Sequence, residues 1–499
     1  MIKIKKVLVA NRGEIAVRVL RTCRELGIAT VAVFSEADRE APHVHYADEA
    51  YCIGRAPASE SYLRGRRIVQ IAVEAGVKAI HPGYGFLAES PELARACAEA
   101  GLIFIGPRPE TIAVWQDRLA ARGLAQQLGI PVLPGIGPTP DDAGLLTAAE
   151  EIGYPLRLRA GADNGRGTAR IVRSRAELEA ALPQARHQAR LAFGAETLYL
   201  ERQIERAHHL EVQLLGDAHG HVIHLGERKC AIQRQQQRLV TETPAWALKP
   251  AVRQRLCQAA IQFAQAVGYV GAGSVEFLLD PAGNYYFLQA NPCLQMAHTV
   301  TELVTGVDIV KEQLRVAAGR ELRYTQADIQ PRGWALECAI RAEDPGRDFA
   351  PAVGRISRLR EPGGPGVRVD SGICEGQTIT THYDPLLAKL ATWGESRGVA
   401  IVRMRRAVDE YQIQGVPTNL GLHRAILHSS RFCGGLFDTR FLEEQAIPLE
   451  WEDEDEVLTA ALAAALQDWR RRAGDRVPEH AVSPWKMLGR WDLHGGGQR

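Results

Sequence analysis

One periodicity narrows the possible folds of this chain more than any other feature. KKVLVA, residues 5–10, is a short apolar run of the buried-strand type. GEIAVRVLRTCRELG, residues 13–27, spaces its apolar residues as a helix does and stops at a glycine. ATVAVFS, residues 29–35, is the next strand, and the alternation continues through ADEAYCIG, RRIVQIAVEAGVKAIHPG and LARACAEAGLIFIGP. Repeated strand–helix units of this kind need a parallel, doubly wound sheet, here over residues 1–115.

The pattern then changes. Residues 116–150 read as helix followed by the Pro- and Gly-rich turn segment IPVLPGIGPTPDDAG. A small α+β segment over 151–204 holds RAGADNGRGTARIV and ends on the strand LYLERQI. HLEVQLLGD and HVIHLGER read as strands, AVRQRLCQAAIQFAQAVG as a helix, and GSVEFLLDPAGNYYFLQAN as a hairpin turning at PAGN. CAIQRQQQRLVTETP, residues 230–244, reads as one strand. Strands dominate 331–447, followed by the helix SRGVAIVRMRRAVDEYQIQG. The last segment, 448–499, differs: an acidic run EWEDEDE, an amphipathic helix VLTAALAAALQDWRRR and an aromatic, strand-like SPWKMLGRWDLHGGG.

Composition excludes several function classes. The chain has 499 residues and a net charge of +1, which gives no electrostatic reason for nucleic acid or an anionic membrane as partner. No apolar run approaches the roughly 18 residues of a membrane-spanning helix, so a cytoplasmic location is the expectation. The nine cysteines are scattered, odd in number and without a CxxC pair, against a disulfide framework or a zinc site. Lysine is rare: nine of the 60 basic residues. An arginine at a position where lysine is expected can therefore reflect composition alone.

ANRGEIAVRVLRTCRELGI, AIHPGYGFLAES, FIGPRPETI, GYVGAGSVEFL, TELVTGVDIVKEQLRVAAG and HYDPLLAKL together resemble biotin carboxylase, the ATP-grasp subunit of acetyl-CoA, propionyl-CoA and pyruvate carboxylases. The resemblance spans residues 1 to about 447. It implies an α/β plus α+β architecture. The parts are a doubly wound N-terminal domain (1–115), an ATP-grasp core (116–330) with a lid at about 133–204, and a C-terminal β-rich domain (331–447). It also implies use of MgATP and bicarbonate to carboxylate a biotin held on a carrier protein.

Against that family the stretch QANPCLQMAH, residues 289–298, departs from the pattern E-M-N-x-R-x-Q-V-E-H. Alternate residues of an extended segment face one way, so the pattern presents a row of polar groups to one pocket. The metal-ligand position holds Gln289, the bicarbonate-clamp position Cys293 and the base position Ala297, while Asn291, Gln295 and His298 remain. A further arginine, implied for stabilising the biotin enolate, is Ala339, with Arg341 two residues on. Glu276 keeps its metal-ligand identity.

The nucleotide positions change more mildly. The two phosphate-reaching lysines of the family are Arg118 and Arg159, and the adenine hinge is Glu201 to Ile204. His209 and Gln233 match ribose-binding positions; the family's histidine and lysine further on are Gln236 and Arg238. In the lid loop GADNGRGTAR, Ala162, Asp163 and Asn164 stand where glycines are expected. A glycine-rich loop works because bare backbone N–H groups approach phosphate, so this loop is expected to hold triphosphate less well. Tyr84 matches a position near biotin.

A general base contributes about 10²–10⁴-fold to rate, and Ala297 supplies none. The first expectation is a biotin carboxylase-like subunit of an acetyl-CoA-type carboxylase system, impaired or inactive, with a structural or regulatory role. ATP and Mg would then bind weakly or not at all. The second is an active enzyme with displaced groups, drawn from His298, Arg238 and Arg341. The third is another ATP-grasp ligase. Expected partners are a second copy or an active paralogue, the biotin carboxyl carrier protein and a carboxyltransferase. WKML at 485–488 superficially resembles a biotin-attachment site, but Lys486 lacks a carrier domain around it, so no covalent biotin is expected on this chain.

Overall fold

The computed structural model describes residues 3–160, 169–194, 196–234, 237–444 and 462–467. Residues 1–447 form one compact unit and 448–499 a second. Of the second, only the exposed helical turn 462–467 is described, so the expectations for the acidic run, Lys486 and the aromatic tail lie outside the described residues.

The predicted parallel sheet is present. Its five strands run in the order Glu49–Gly54, Ala29–Ser35, Lys6–Val9, Ala79–His81, Ile103–Phe104, all parallel. Parallel neighbours require a crossover, and the helix Gly13–Glu25 supplies the first. Its Ile15, Ala16, Val19, Leu20 and Cys23 are buried against the sheet. Val7 and Val9 face this side, whereas Leu8 faces Val31, Val33, Ile68 and Ile80 on the other. Both faces are covered, which explains why the first strand reads as an unbroken apolar run.

The strand order reverses about Lys6–Val9, and the loops beyond its end and that of Ala79–His81 meet. Asn11 Nδ2 donates to Pro82 O and Tyr84 O, each at 2.7 Å. Such a switch point, at the carboxyl ends of the strands, is where open α/β sheets accept ligands. Tyr84 and Glu89 follow directly from it.

The largest sheet has eight antiparallel strands among the described residues. In spatial order they are Tyr285–Asn291, Gly271–Leu279, His208–Gly216, Val222–Arg234, Gln237–Thr243, Trp334–Arg341, Leu386–Gly394 and Val367–Ser371. It draws strands from both sides of position 330. The helix Pro250–Ala266 packs Leu256, Phe263 and Ala264 against Val212, Val275, Phe277 and Phe287 to form the main core. A four-stranded antiparallel sheet, in the order Gly135–Thr139, Leu198–Arg202, Leu156–Ala160, Arg170–Val172, carries two helices over a separate apolar core.

Two local readings change. Gly135–Thr139, expected as turn, is a strand. It lies at a sheet edge, where Gly and Pro are tolerated because one row of backbone groups needs no partner. The segment 230–244 is not one strand but the two arms of a hairpin, with Arg234 opposite Gln237 and Gln233 opposite Arg238. The run QRQQQ carries none of the Gly or Asn that marks a tight turn, so the reversal is invisible in the sequence. It places Arg238 with the strand Val222–Arg234 between it and Glu211, from where its long side chain reaches both carboxylates.

Candidate active site

The centre of the large sheet is built by register. Glu211 lies opposite Glu276, and Glu276 opposite Gln289; Ser274 lies opposite Asn291. Opposed residues on adjacent strands have Cβ atoms about 4.5–5.5 Å apart, so three strands bring two carboxylates and an amide to one face. On the far side of Glu211, Arg228 is opposite it. The signal for Glu211, which the sequence reading missed, was available: in HLEVQLL every second residue is polar within an otherwise apolar strand.

Every oxygen of these carboxylates is engaged. Glu211 Oε2 accepts from Arg228 Nε at 3.0 Å and Arg238 Nη1 at 2.8 Å, and its Oε1 accepts from Ser274 Oγ at 2.5 Å and lies 2.8 Å from Arg228 Nη2. Glu276 Oε1 accepts from Arg238 Nη2 and from Asn291 Nδ2 at 2.6 Å. Its Oε2 lies 2.7 Å from His209 Nε2. Burial alone would raise the carboxyl pKa of Glu276, but Arg238 and His209 outweigh it and hold the group well below the usual range. Arg228 and Arg238 do the same for Glu211. Both carboxylates are therefore ionised and neutralised from within the chain. The neutral amide of Gln289 points its Nε2 to Asn291 Oδ1 at 3.4 Å. Among the described residues, no cluster of three or more His, Cys, Asp or Glu is arranged to hold a metal ion.

Cys293 is buried, with its Sγ 3.4 Å from Glu89 Oε1 and 3.3 Å from Gln295 Nε2. Burial first, and Glu89 second, push its thiol pKa well up, so it is a neutral donor. Ala297 is fully buried at the start of the helix His298–Thr305, and Ala339 is buried on the strand Trp334–Arg341. Neither carries a polar side chain toward any pocket.

The displaced groups are also accounted for. His298 is wholly buried, its Nδ1 lies 3.0 Å from Gln295 O, and desolvation pushes its pKa well down. Its Nε2 is buried without a hydrogen-bond partner among the described residues. Arg341, two residues on from Ala339, is buried on the same strand. It donates to Asp384 Oδ1 at 2.8 Å, and the pairing with Leu386–Gly394 shifts register at this point.

Beneath the segment lies a buried charge cluster. Lys389 Nζ donates to Met296 O at 3.1 Å and lies 3.5 Å from Glu14 and 3.8 Å from Asp370. The same ammonium is 5.5 Å from the centre of the Tyr84 ring, whose buried hydroxyl has no hydrogen-bond partner among the described residues. Glu337 accepts from Thr299 Oγ1 in the same layer. Burial raises Glu14 and Glu337 each from 4.5 to about 7, with Lys389 opposing. A carboxyl raised this way holds a proton in the native state that the unfolded chain has already lost. Its contribution is full below 4.5 and is lost as pH rises to about 7. Wild type should therefore lose more urea stability between pH 5 and pH 7.5 than Glu337→Gln does, by on the order of 2 kcal/mol. Equal losses in the two proteins would refute this.

The positions matched to phosphate-reaching residues of the family gather around Glu201 on the strand Leu198–Arg202. Arg118, at the start of the helix Arg118–Gln127, donates to both oxygens of Glu201 at 2.8 and 3.1 Å. Arg159 Nε lies 3.8 Å from the same carboxylate, and Tyr199 donates its hydroxyl to it. Burial opposes ionisation of Glu201, but the Arg118 charge prevails and lowers its pKa. Ile204 follows on the hinge, half-buried beside Leu133 and Tyr286. Gln233 stands on the same hairpin as Arg238. Gln236 and the loop 161–168, with Ala162, Asp163 and Asn164, lie outside the described residues.

The large antiparallel sheet carrying paired carboxylates and the separate small α+β sheet, with Arg118 and Arg159 gathered on Glu201, define the class as an ATP-grasp fold. Residues 3–112 match the biotin carboxylase N-terminal domain, 117–325 the ATP-binding domain of the carbamoyl-phosphate synthase L chain, and 337–444 the biotin carboxylase C-terminal domain. The biotin carboxylase of a Nostoc species is 47% identical over 89% of this chain and 99% of its own length. Biotin carboxylase 1 of Bacillus subtilis is 46% identical over 88% and 98%. The biotin carboxylase domain dimer of Hydrogenobacter thermophilus 2-oxoglutarate carboxylase, solved with MgADP and bicarbonate, superimposes with a TM-score of 0.85. It shares 47% identity, with 89% of this chain and 98% of that one covered. The chain belongs to the biotin carboxylase family. Among the described residues no helix is long and apolar enough to cross a membrane.

Proposed function

We propose that this chain is a biotin carboxylase-type subunit of an acyl-CoA carboxylase system whose own carboxylation chemistry is reduced or lost, and that it acts through its partners. One observation carries this reading. At the three positions where the reaction needs a base and two cationic clamps, the residues are Ala297, Cys293 and Ala339, all buried and without charge. The nearby alternatives are committed elsewhere: His298 to a backbone oxygen, Arg341 to Asp384, Arg238 to two carboxylates. Attack by bicarbonate requires a proton acceptor within hydrogen-bond reach, and these side chains offer none. The expected partners are a second copy or an active paralogue, with the carrier protein and carboxyltransferase of the same system. The reading keeps the chain free of covalent biotin, in the cytoplasm, with ATP and Mg held weakly or not at all.

A second reading, a working biotin carboxylase with rearranged groups, is favoured by the relatives, which bear the names of carboxylases at 44–47% identity. ADP release with MgATP and bicarbonate, with and without free biotin, separates the two. The control is Glu276→Gln purified identically. The expected result is no biotin-stimulated release above that control. Biotin-stimulated release that depends on Glu276 would overturn the first reading in favour of the second.

A further inference from the structure

A divalent ion such as Mg²⁺ needs oxygen ligands at about 2.0–2.1 Å, one or two of them carboxylate, with lone pairs free to coordinate. The family's metal positions in this chain are Glu276 and Gln289. Gln289 has no charge. Glu276 Oε1 already accepts two donors, from Arg238 and Asn291, and Oε2 faces His209. The neighbouring Glu211 is likewise saturated by Arg228, Arg238 and Ser274. The residues present do not fit a divalent ion.

What stands out is how one side chain unites the two carboxylates. Arg238 gives one guanidinium nitrogen to Glu211 and the other to Glu276. A planar fork can serve two carboxylates at once, whereas a lysine ammonium is a compact point charge on a flexible stem. The family has lysine at this position, so the change to arginine matters here beyond composition. The Ser274–Asn291 pair, whose Oγ and Nδ2 are 3.1 Å apart, fixes the carboxylates in the orientation the fork needs.

We propose that Arg238 is the built-in cation of this pocket: its guanidinium takes up the charge of Glu276 and Glu211 that a divalent ion would otherwise neutralise, so the site works without metal. This rests on the proposed function in one respect, that the pocket no longer serves carboxylation. Loss of charge at Gln289 and gain of the fork at Arg238 are then one coupled change: two negative groups remain, and the chain's own arginines balance them.

The test is Mn²⁺ binding to the full chain, followed by the paramagnetic resonance signal of free Mn²⁺. Wild type is expected to bind none through this site up to millimolar concentration, with Glu276→Gln indistinguishable from it. The double variant Arg238→Lys with Gln289→Glu returns both positions to the family's residues. It is expected to gain at least tenfold in Mn²⁺ affinity. Circular dichroism and the urea midpoint establish that it is folded, and the wild-type arm needs no variant to be informative. Mn²⁺ bound by wild type and lost in Glu276→Gln would overturn the proposal, as would a folded double variant that binds no better than wild type. The outcomes separate the two readings: metal binding by wild type without biotin-dependent ADP release would sink this inference and leave the proposed function standing.

Discussion

Replacing Glu211 by alanine is expected to lower stability by about 3–5 kcal/mol, the usual effect of removing one partner from a buried ion pair. The reason is the fate of the arginines. Arg228 is fully buried and meets Glu211 through both Nε and Nη2; without the carboxylate its charge stays in the interior with only Gln213 and Thr301 as acceptors. Arg238 keeps Glu276 and retains slight solvent exposure, so it contributes less. The measurement is the shift in urea midpoint of the variant. Arg228→Met added to Glu211→Ala should recover a large share of the loss, because neighbours in one network are not additive. A neutral effect of Glu211→Ala would mean that the network does not hold the sheet centre together.

The second large effect is a gain. Under the proposed function, placing the family's residues at four positions, Gln289→Glu, Cys293→Arg, Ala297→Glu and Ala339→Arg, is expected to raise biotin-dependent ADP release by about 10²-fold or more, the scale of an added base or electrostatic clamp. Two features of the fold favour accommodation. Glu89 lies 3.4 Å from Cys293 Sγ and is placed to pair with an arginine there. Ala297 precedes the first turn of the helix His298–Thr305, where a carboxylate is favoured by the helix dipole. Release is read against the same variant carrying Glu276→Gln. Silence of a folded revertant would count against these four positions as the cause, and would direct attention to the loop 161–168 or to the fork at Arg238.

Much of this could be read along the chain, and the reasons are specific. Val7–Val9 announced a strand covered on both faces because no residue in it is polar. The helix Gly13–Glu25 announced itself by its apolar spacing. The departures at Gln289, Cys293, Ala297 and Ala339 were legible because they interrupt phrases whose surroundings are intact. Glu211 was missed because a carboxylate inside a strand has no local signature beyond alternation. The hairpin at 234–237 was missed because a run of glutamines has no turn chemistry.

By itself the sequence determined much of the order of elements, the family, and which residue types stand at positions 289, 293, 297 and 339, since each depends on local period or on residue type at a position. It also established that no base remains in QANPCLQMAH other than His298. Only the tertiary structure decided what the survivors do. Register across three strands brought Glu211 and Glu276 side by side, and the reversal after Arg234 delivered Arg238 to both. Burial enclosed His298, lowered its pKa and set its Nδ1 against Gln295 O. Ionisation and partner choice follow from which groups meet in the interior and how much water they lose. Residues 27 apart in sequence, such as Glu211 and Arg238, acquire that relation only when the sheet closes around them.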